Sequence, residues 1–142
     1  MTLTYSYKEV PRSNKTHAKS PSIPVTLCGK STKYDFTVLL DSGADVSALP
    51  KNVAELLGLD LSGDREEAFG IGGSVPAVQT RVHLEFGKPH ERYSFSIPVK
   101  VILSEDDFPP LIGREVFFDK FKITFKQKES KVELRAETNK LY

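Results

Sequence analysis

The chain has one cysteine, three histidines, almost no net charge and no apolar run approaching the length of a membrane span. Each shortage excludes something. A lone thiol, Cys28, cannot close a disulfide within the chain and leaves no thiol cluster for zinc. It reads as a small buried hydrophobe in a reducing compartment rather than as a nucleophile. His17, His83 and His90 show no metal-ligand spacing, so no metal site is expected. Twenty Lys and Arg against nineteen Asp and Glu, a formal net charge of +1, give no global attraction to nucleic acid or to an anionic membrane. The opening stretch MTLTYSYKEVPRSNKTHAKS lacks the apolar centre of a secretory signal, and the expectation is a cytoplasmic protein.

What remains is one domain by length, large enough to bury a core without metal or disulfide support. Residues 1–22 carry Lys8, Arg12, Lys15 and Lys19 against Glu9. They are expected to form a basic, flexible N-terminal arm, solvated or touching a second copy, with the domain proper at 23–142.

Within that domain the apolar pattern has mostly period two, the signature of strands. IPVTLCG and YDFTVLL, separated by Lys30–Lys33, predict a hairpin. PKNVAELLGL predicts a short helix, with Pro50 near its first turn, Gly58 as its stop and Val53, Leu56 and Leu57 facing the core. VQTRVHLEF and YSFSIPVKVIL alternate cleanly, and Pro98 in the second suggests an edge position or a bulge. LIGREVFFDKF is expected to be the last helix, and KITFKQKESKVEL a hairpin turning near Gln127–Ser130. The fold class expected is mainly β with two short helices.

Several motifs fail on inspection. CGKST matches the end of a phosphate loop, but Pro24 stands where that loop needs glycine, and a strand follows instead of a helix. Gly70–Gly73 resembles a fragment of a dinucleotide fingerprint, yet it opens a strand where that loop must open a helix. Glu105, Asp106 and Asp107 beside two prolines read as a solvated loop.

The stretch that survives is FTVLLDSGADVSALP. An apolar strand ends on a carboxylate, Asp41, and burying a carboxylate is expensive unless something compensates it. Either Asp41 sits at a solvated turn, or its position is the chemistry. The turn Ser42-Gly43-Ala44 is small enough for another chain to approach, and its serine hydroxyl can fix local geometry. One carboxylate alone is a poor peptide hydrolase. Two held close share a proton, so that one acts as base on water while the other polarises the carbonyl.

LLDSGAD, GIGG and PLIGRE, in that order, resemble the retropepsin family of single-lobed aspartic proteases. The resemblance implies a single-lobed acid-protease fold, no cofactor, and an aspartic endopeptidase acting on an extended peptide. It puts the catalytic aspartate at Asp41, with Ser42 and Gly43 shaping its turn. Gly43, Ala44 and Asp45 would bind substrate, under a flap hairpin with Gly70, Ile71, Gly72 and Gly73 at its tip. Ile112 and Gly113 would support the turn from beneath, and Arg114 would pair with Asp45. Only one Asp-Ser-Gly exists; LSGD at Leu61–Asp64 has the letters in the wrong order. The resemblance therefore implies a homodimer with one Asp41 from each subunit. The competing reading is a non-catalytic module of the same fold, used for dimerisation or peptide binding.

Overall fold

The computed structural model describes residues 1–11, 17–70 and 73–137. Twelve strands and two helices follow in the order β1 (Thr2–Ser6), β2 (Lys8–Pro11), β3 (His17–Ser20), β4 (Ser22–Cys28), β5 (Lys33–Leu40), β6 (Ser47–Pro50), α1 (Lys51–Leu57), β7 (Arg65–Gly70), β8 (Gly73–Lys88), β9 (Glu91–Ile102), β10 (Leu111–Ile112), α2 (Phe117–Lys120), β11 (Phe121–Lys126) and β12 (Lys131–Ala136). The fold is mainly β, as the period-two pattern required. Among the described residues, no helix is long and apolar enough to cross a membrane.

The larger sheet runs β4-β5-β10-β6-β9-β8-β7, and a further pairing of β4 with β8 closes it on itself. Inward positions fill the closed ring: Val25, Leu27, Val38, Leu40, Val82, Leu84, Ile97, Val99 and Val101 are all buried. The β7–β8 hairpin extends beyond the closure, because β4 pairs with β8 only at positions 83–85 while β7 pairs with it at 73–78. Pro98 lies one residue before β6 begins to pair with β9. There β9 has β8 as its only neighbour, so the missing N–H breaks no ladder.

Helix α1 starts after Pro50 and ends at Gly58, whose φ of 67° is the left-handed conformation glycine adopts without penalty. Its buried face is Val53, Ala54 and Leu57; Leu56 is exposed, against expectation, because the core meets the 53–54–57 stripe. The segment expected as a final helix is split. Leu111–Ile112 forms β10, parallel to β5, and only Phe117–Lys120 is helical. The pairing available between β5 and β6 overrides the helical pattern there.

The N-terminal segment also differs from the solvated arm expected of it. Thr2–Ser6 alternates in period two and pairs with β12, giving a second sheet, β1-β12-β11, in which Leu3 and Tyr5 are buried. β2 and β3 form a hairpin with Val10 buried. Charge content marked this segment as an arm, whereas its alternation made it strand. An aromatic cluster joins the two sheets: Phe117 lies 5.5 Å from Phe86 and 5.2 Å from Phe121, ring centre to ring centre.

Candidate active site

Strand β5 delivers Asp41 to the end of the sheet, and backbone bonds hold it there. Leu39 N–H donates to Pro110 O (2.9 Å), Leu40 N–H to Pro21 O (2.9 Å) and Asp41 N–H to Ile112 O (2.9 Å). The chain then turns at once. Gly43 N–H donates to Asp41 Oδ1 at 2.9 Å and Ala44 N–H to the Asp41 carbonyl at 3.2 Å, an aspartate-led turn of the kind that side-chain oxygens build locally. Asp41 is half-buried, Ser42 and Gly43 exposed. Among the described residues the second carboxylate oxygen, Oδ2, takes no protein donor. The strand thus ends on a carboxylate with one oxygen committed to its own turn and the other free of protein donors among the described residues.

Beneath the turn runs the segment after β10. Gly113 packs so closely that a Cβ there would sit 2.6 Å from the Val46 carbonyl carbon and 2.9 Å from Ala44 O, which only glycine permits. Its N–H donates to Ser47 Oγ at 2.9 Å. Arg114 N–H donates to Ala44 O (2.9 Å) and Glu115 N–H to Asp45 O (2.8 Å), stitching the two segments together. The Arg114 guanidinium then spans the turn, donating from Nη1 to Ser42 O at 2.7 Å and from Nη2 to the Asp45 carboxylate. Both partners of that ion pair are well exposed in the single chain.

Residues 41–45 and 112–114 are therefore brought together. The glycines of the middle motif lie on a separate element: Gly70 pairs with Gly73 at the end of the β7–β8 hairpin, while Ile71 and Gly72 lie outside the described residues. Phe69, at the shoulder of this hairpin, is strongly exposed.

Two residues that sequence reasoning passed over belong to this site. Ser47 is 1% exposed, and its hydroxyl satisfies the Gly113 N–H. A polar residue between Val46 and Ala48, at the start of an apolar strand, was the available signal. Val116 has φ 70° and ψ −55°, and Phe117 N–H donates to Glu115 O at 2.9 Å. This γ-turn of the positive-φ form is rare for a β-branched residue, and nothing in the sequence announces it.

The model of the aspartyl protease family matches residues 23–116, which takes in the turn, the hairpin and the segment beneath the turn. No curated protein matches the chain in sequence. Among solved structures, a retropepsin-like aspartic protease from Rickettsia conorii is similar over 94% of this chain and 91% of its own, with a TM-score of 0.54 at 18% identity, a likeness of fold. EIAV protease, solved with the inhibitor HBY-793, is 25% identical over 71% of this chain and 88% of its own, with a TM-score of 0.48.

Proposed function

The chain belongs to the aspartyl protease family and is an aspartic-type endopeptidase of retropepsin-like fold; on that premise we propose that two copies complete its active site, one Asp41 from each meeting across a two-fold axis. One observation carries this reading. Each chain holds a single Asp-Ser-Gly turn with a free carboxylate oxygen, and the other acid of the turn, Asp45, is engaged by Arg114.

Two carboxylates that close cannot both ionise easily, so the pair keeps one proton between them. The ionised Asp41 takes a proton from water as the water oxygen attacks the peptide carbonyl, and the protonated Asp41 of the other copy hydrogen-bonds the carbonyl oxygen. Collapse of the tetrahedral intermediate returns a proton to the leaving amine. The substrate is an extended peptide, bound as an added strand with side chains on alternating sides. Gly43, Ala44 and Asp45 lie along it, and the Gly70–Gly73 hairpin covers it as a flap. The half-buried free thiol of Cys28 suits a reducing compartment, and the cytoplasm is the location we propose.

The test is cleavage of an unbiased peptide mixture between about pH 4 and 7, comparing wild type with Asp41→Asn at matched high concentration. The expected result is cleavage by wild type alone, with a bell-shaped profile on the acidic side of neutrality. Cleavage that survives in Asp41→Asn, or that stays flat across this range, sinks the dyad. A wild type that sediments as a dimer and cuts nothing favours a binding module of the same fold.

A further inference from the structure

The segment that leads from the Asp41 turn back into the core contains one residue in a costly conformation. Val116 has φ 70° and ψ −55°, and Phe117 N–H donates to Glu115 O across it at 2.9 Å. A positive φ at a β-branched residue is an outlier, and such backbone persists only where its surroundings over-determine it. Both sides of Val116 are fixed. Before it, Gly113 packs directly on the Val46 and Ala44 backbone, and the N–H groups of Arg114 and Glu115 are committed to Ala44 O and Asp45 O. After it, Phe117 is fully buried, its ring 5.5 Å from Phe86, 5.8 Å from Phe95 and 5.2 Å from Phe121, centre to centre. Phe118 N–H reaches back over the bend to Arg114 O at 3.0 Å. The chain has one residue in which to reverse between these anchors.

We propose that Val116 is a positioning residue for cleavage: its reversed turn carries the fixed seat of Phe117 to Arg114, and so holds the guanidinium on Ser42 O and Asp45 at the Asp41 turn. This rests on the reading of Asp41 as the cleaving group. The Arg114 side chain is 49% exposed, so packing does not aim it; the position of its backbone does. If Val116 relaxed to the negative φ that an L-residue prefers, one anchor would have to move. Phe117 is held by ring packing throughout the core, whereas Arg114 and Glu115 are held by two backbone bonds at an exposed turn, so the Arg114 side gives way. The guanidinium would then leave the Ser42 carbonyl, and the turn that presents Asp41 would lose its brace.

The test compares Val116→Ala with Val116→Gly, which lose nearly the same packing and differ in what a positive φ costs them. In an ordinary conformation alanine is the more stable of the two; here glycine should be, with the higher urea midpoint. Per folded chain, Val116→Ala should cleave peptide with kcat at least about tenfold below wild type. Val116→Gly should recover most of that loss, which a residue serving stability alone would not produce. Phe117→Leu, which keeps Val116 and loosens its inner anchor, should lower kcat in the same direction, so the question stays decidable if Val116→Ala does not fold. Glycine less stable than alanine overturns the strained turn. Val116→Ala or Phe117→Leu cleaving at the wild-type kcat, with Asp41→Asn inactive, overturns the positioning role and leaves Asp41 standing. Cleavage that survives in Asp41→Asn, or a wild type that cuts nothing, overturns the reading of Asp41 and this role with it.

Discussion

Gly113→Ala is the substitution for which the structure gives the most definite number. The added methyl would lie 2.6 Å from Val46 C, 2.7 Å from Val46 O and 2.9 Å from Ala44 O, all of them backbone atoms. Backbone cannot rotate away as a side-chain end can, so residues 44–46 must separate from residue 113 by several tenths of an ångström or more. That movement pulls on the bonds from Arg114 N–H to Ala44 O and from Glu115 N–H to Asp45 O. Overpacking of this kind costs about 1–3 kcal/mol, and each strained hydrogen bond adds up to about 1 kcal/mol. We expect a loss of about 3 kcal/mol, read as a lowered urea midpoint with unchanged slope. The Asp41 turn, to which we assign the chemistry, rides on the same segment, so the fraction that stays folded should cleave more slowly at saturating peptide. Gly43→Ala is the contrast, because its Cβ would meet only Asp41 Oδ1, at 3.3 Å. That variant should fold almost as well as wild type. A stability change below about 0.5 kcal/mol for Gly113→Ala, the size ordinary surface substitutions show, would refute the idea of a wedge beneath the turn.

Three further expectations follow from the same geometry. Ser47→Ala leaves the Gly113 N–H buried without an acceptor and should destabilise by about 1–3 kcal/mol in urea unfolding; Ser47→Thr, which keeps the hydroxyl, should recover part of that loss. Arg114→Ala removes an exposed ion pair, so its stability cost should be only about 1 kcal/mol. Its effect on cleavage should be larger, because the Ser42 carbonyl and the Asp45 carboxylate lose the donor that fixes them; equal loss in Arg114→Ala and in an unrelated surface arginine such as Arg81→Ala would contradict this. At alkaline pH, burial and the bond to Glu91 push the Tyr93 hydroxyl from 10.0 up to about 12 in the fold. The folded pKa is the higher one, so this contribution is whole below about pH 10 and is lost as pH climbs toward 12. The urea midpoint of wild type should therefore fall more steeply over that window than that of Tyr93→Phe.

The two long central strands announced themselves because one face was buried and the other wet. VQTRVHLEF and YSFSIPVKVIL gave β8 and β9 their inward faces, because side chains alternate in a half-buried sheet. Where a pattern suited two states, the sequence misled. LIGREVFFDKF has helical spacing, yet Leu111 and Ile112 are drawn into the sheet by β5 on one side and β6 on the other. At Thr2–Ser6 alternation rather than charge decides the local structure, and the strand it pairs with, β12, is distant in sequence. Of the site, Asp41 was legible from the strand before it and the glycine after it. The reach of Arg114 to Asp45 came only through family resemblance. Ser47 acts through a side-chain bond to a residue 66 positions away, marked locally only as a polar residue in an apolar strand, and Val116 acts through one dihedral that leaves no mark in local composition.

The way the site is held bears on how far sequence can drift around it. Three backbone bonds set the turn on its support, Asp41 N–H to Ile112 O, Arg114 N–H to Ala44 O and Glu115 N–H to Asp45 O, and a fourth, Ala44 N–H to Asp41 O, closes the turn itself. Side-chain identity enters such bonds only through what would obstruct them. The residue types the arrangement requires therefore reduce to the acid itself, glycine at 113 where any Cβ collides, a hydroxyl at 47 and the guanidinium at 114. Elsewhere glycine is required at 29 and 87, where a Cβ would meet backbone, and the buried positions otherwise need mostly apolar side chains of suitable volume, which cores exchange readily. That is why a fold shared with the Rickettsia conorii enzyme at a TM-score of 0.54 can persist at 18% identity. It also locates the fragile point of the site. Substitutions scattered over the ring should shift stability in small, additive steps, whereas changes at 41, 47, 113 and 114 act on one stitched unit and should couple, each pair departing from additivity by about 0.5–3 kcal/mol. A Ser47→Ala, Gly113→Ala double variant whose loss equals the sum of the singles would mean that the two segments are not one unit.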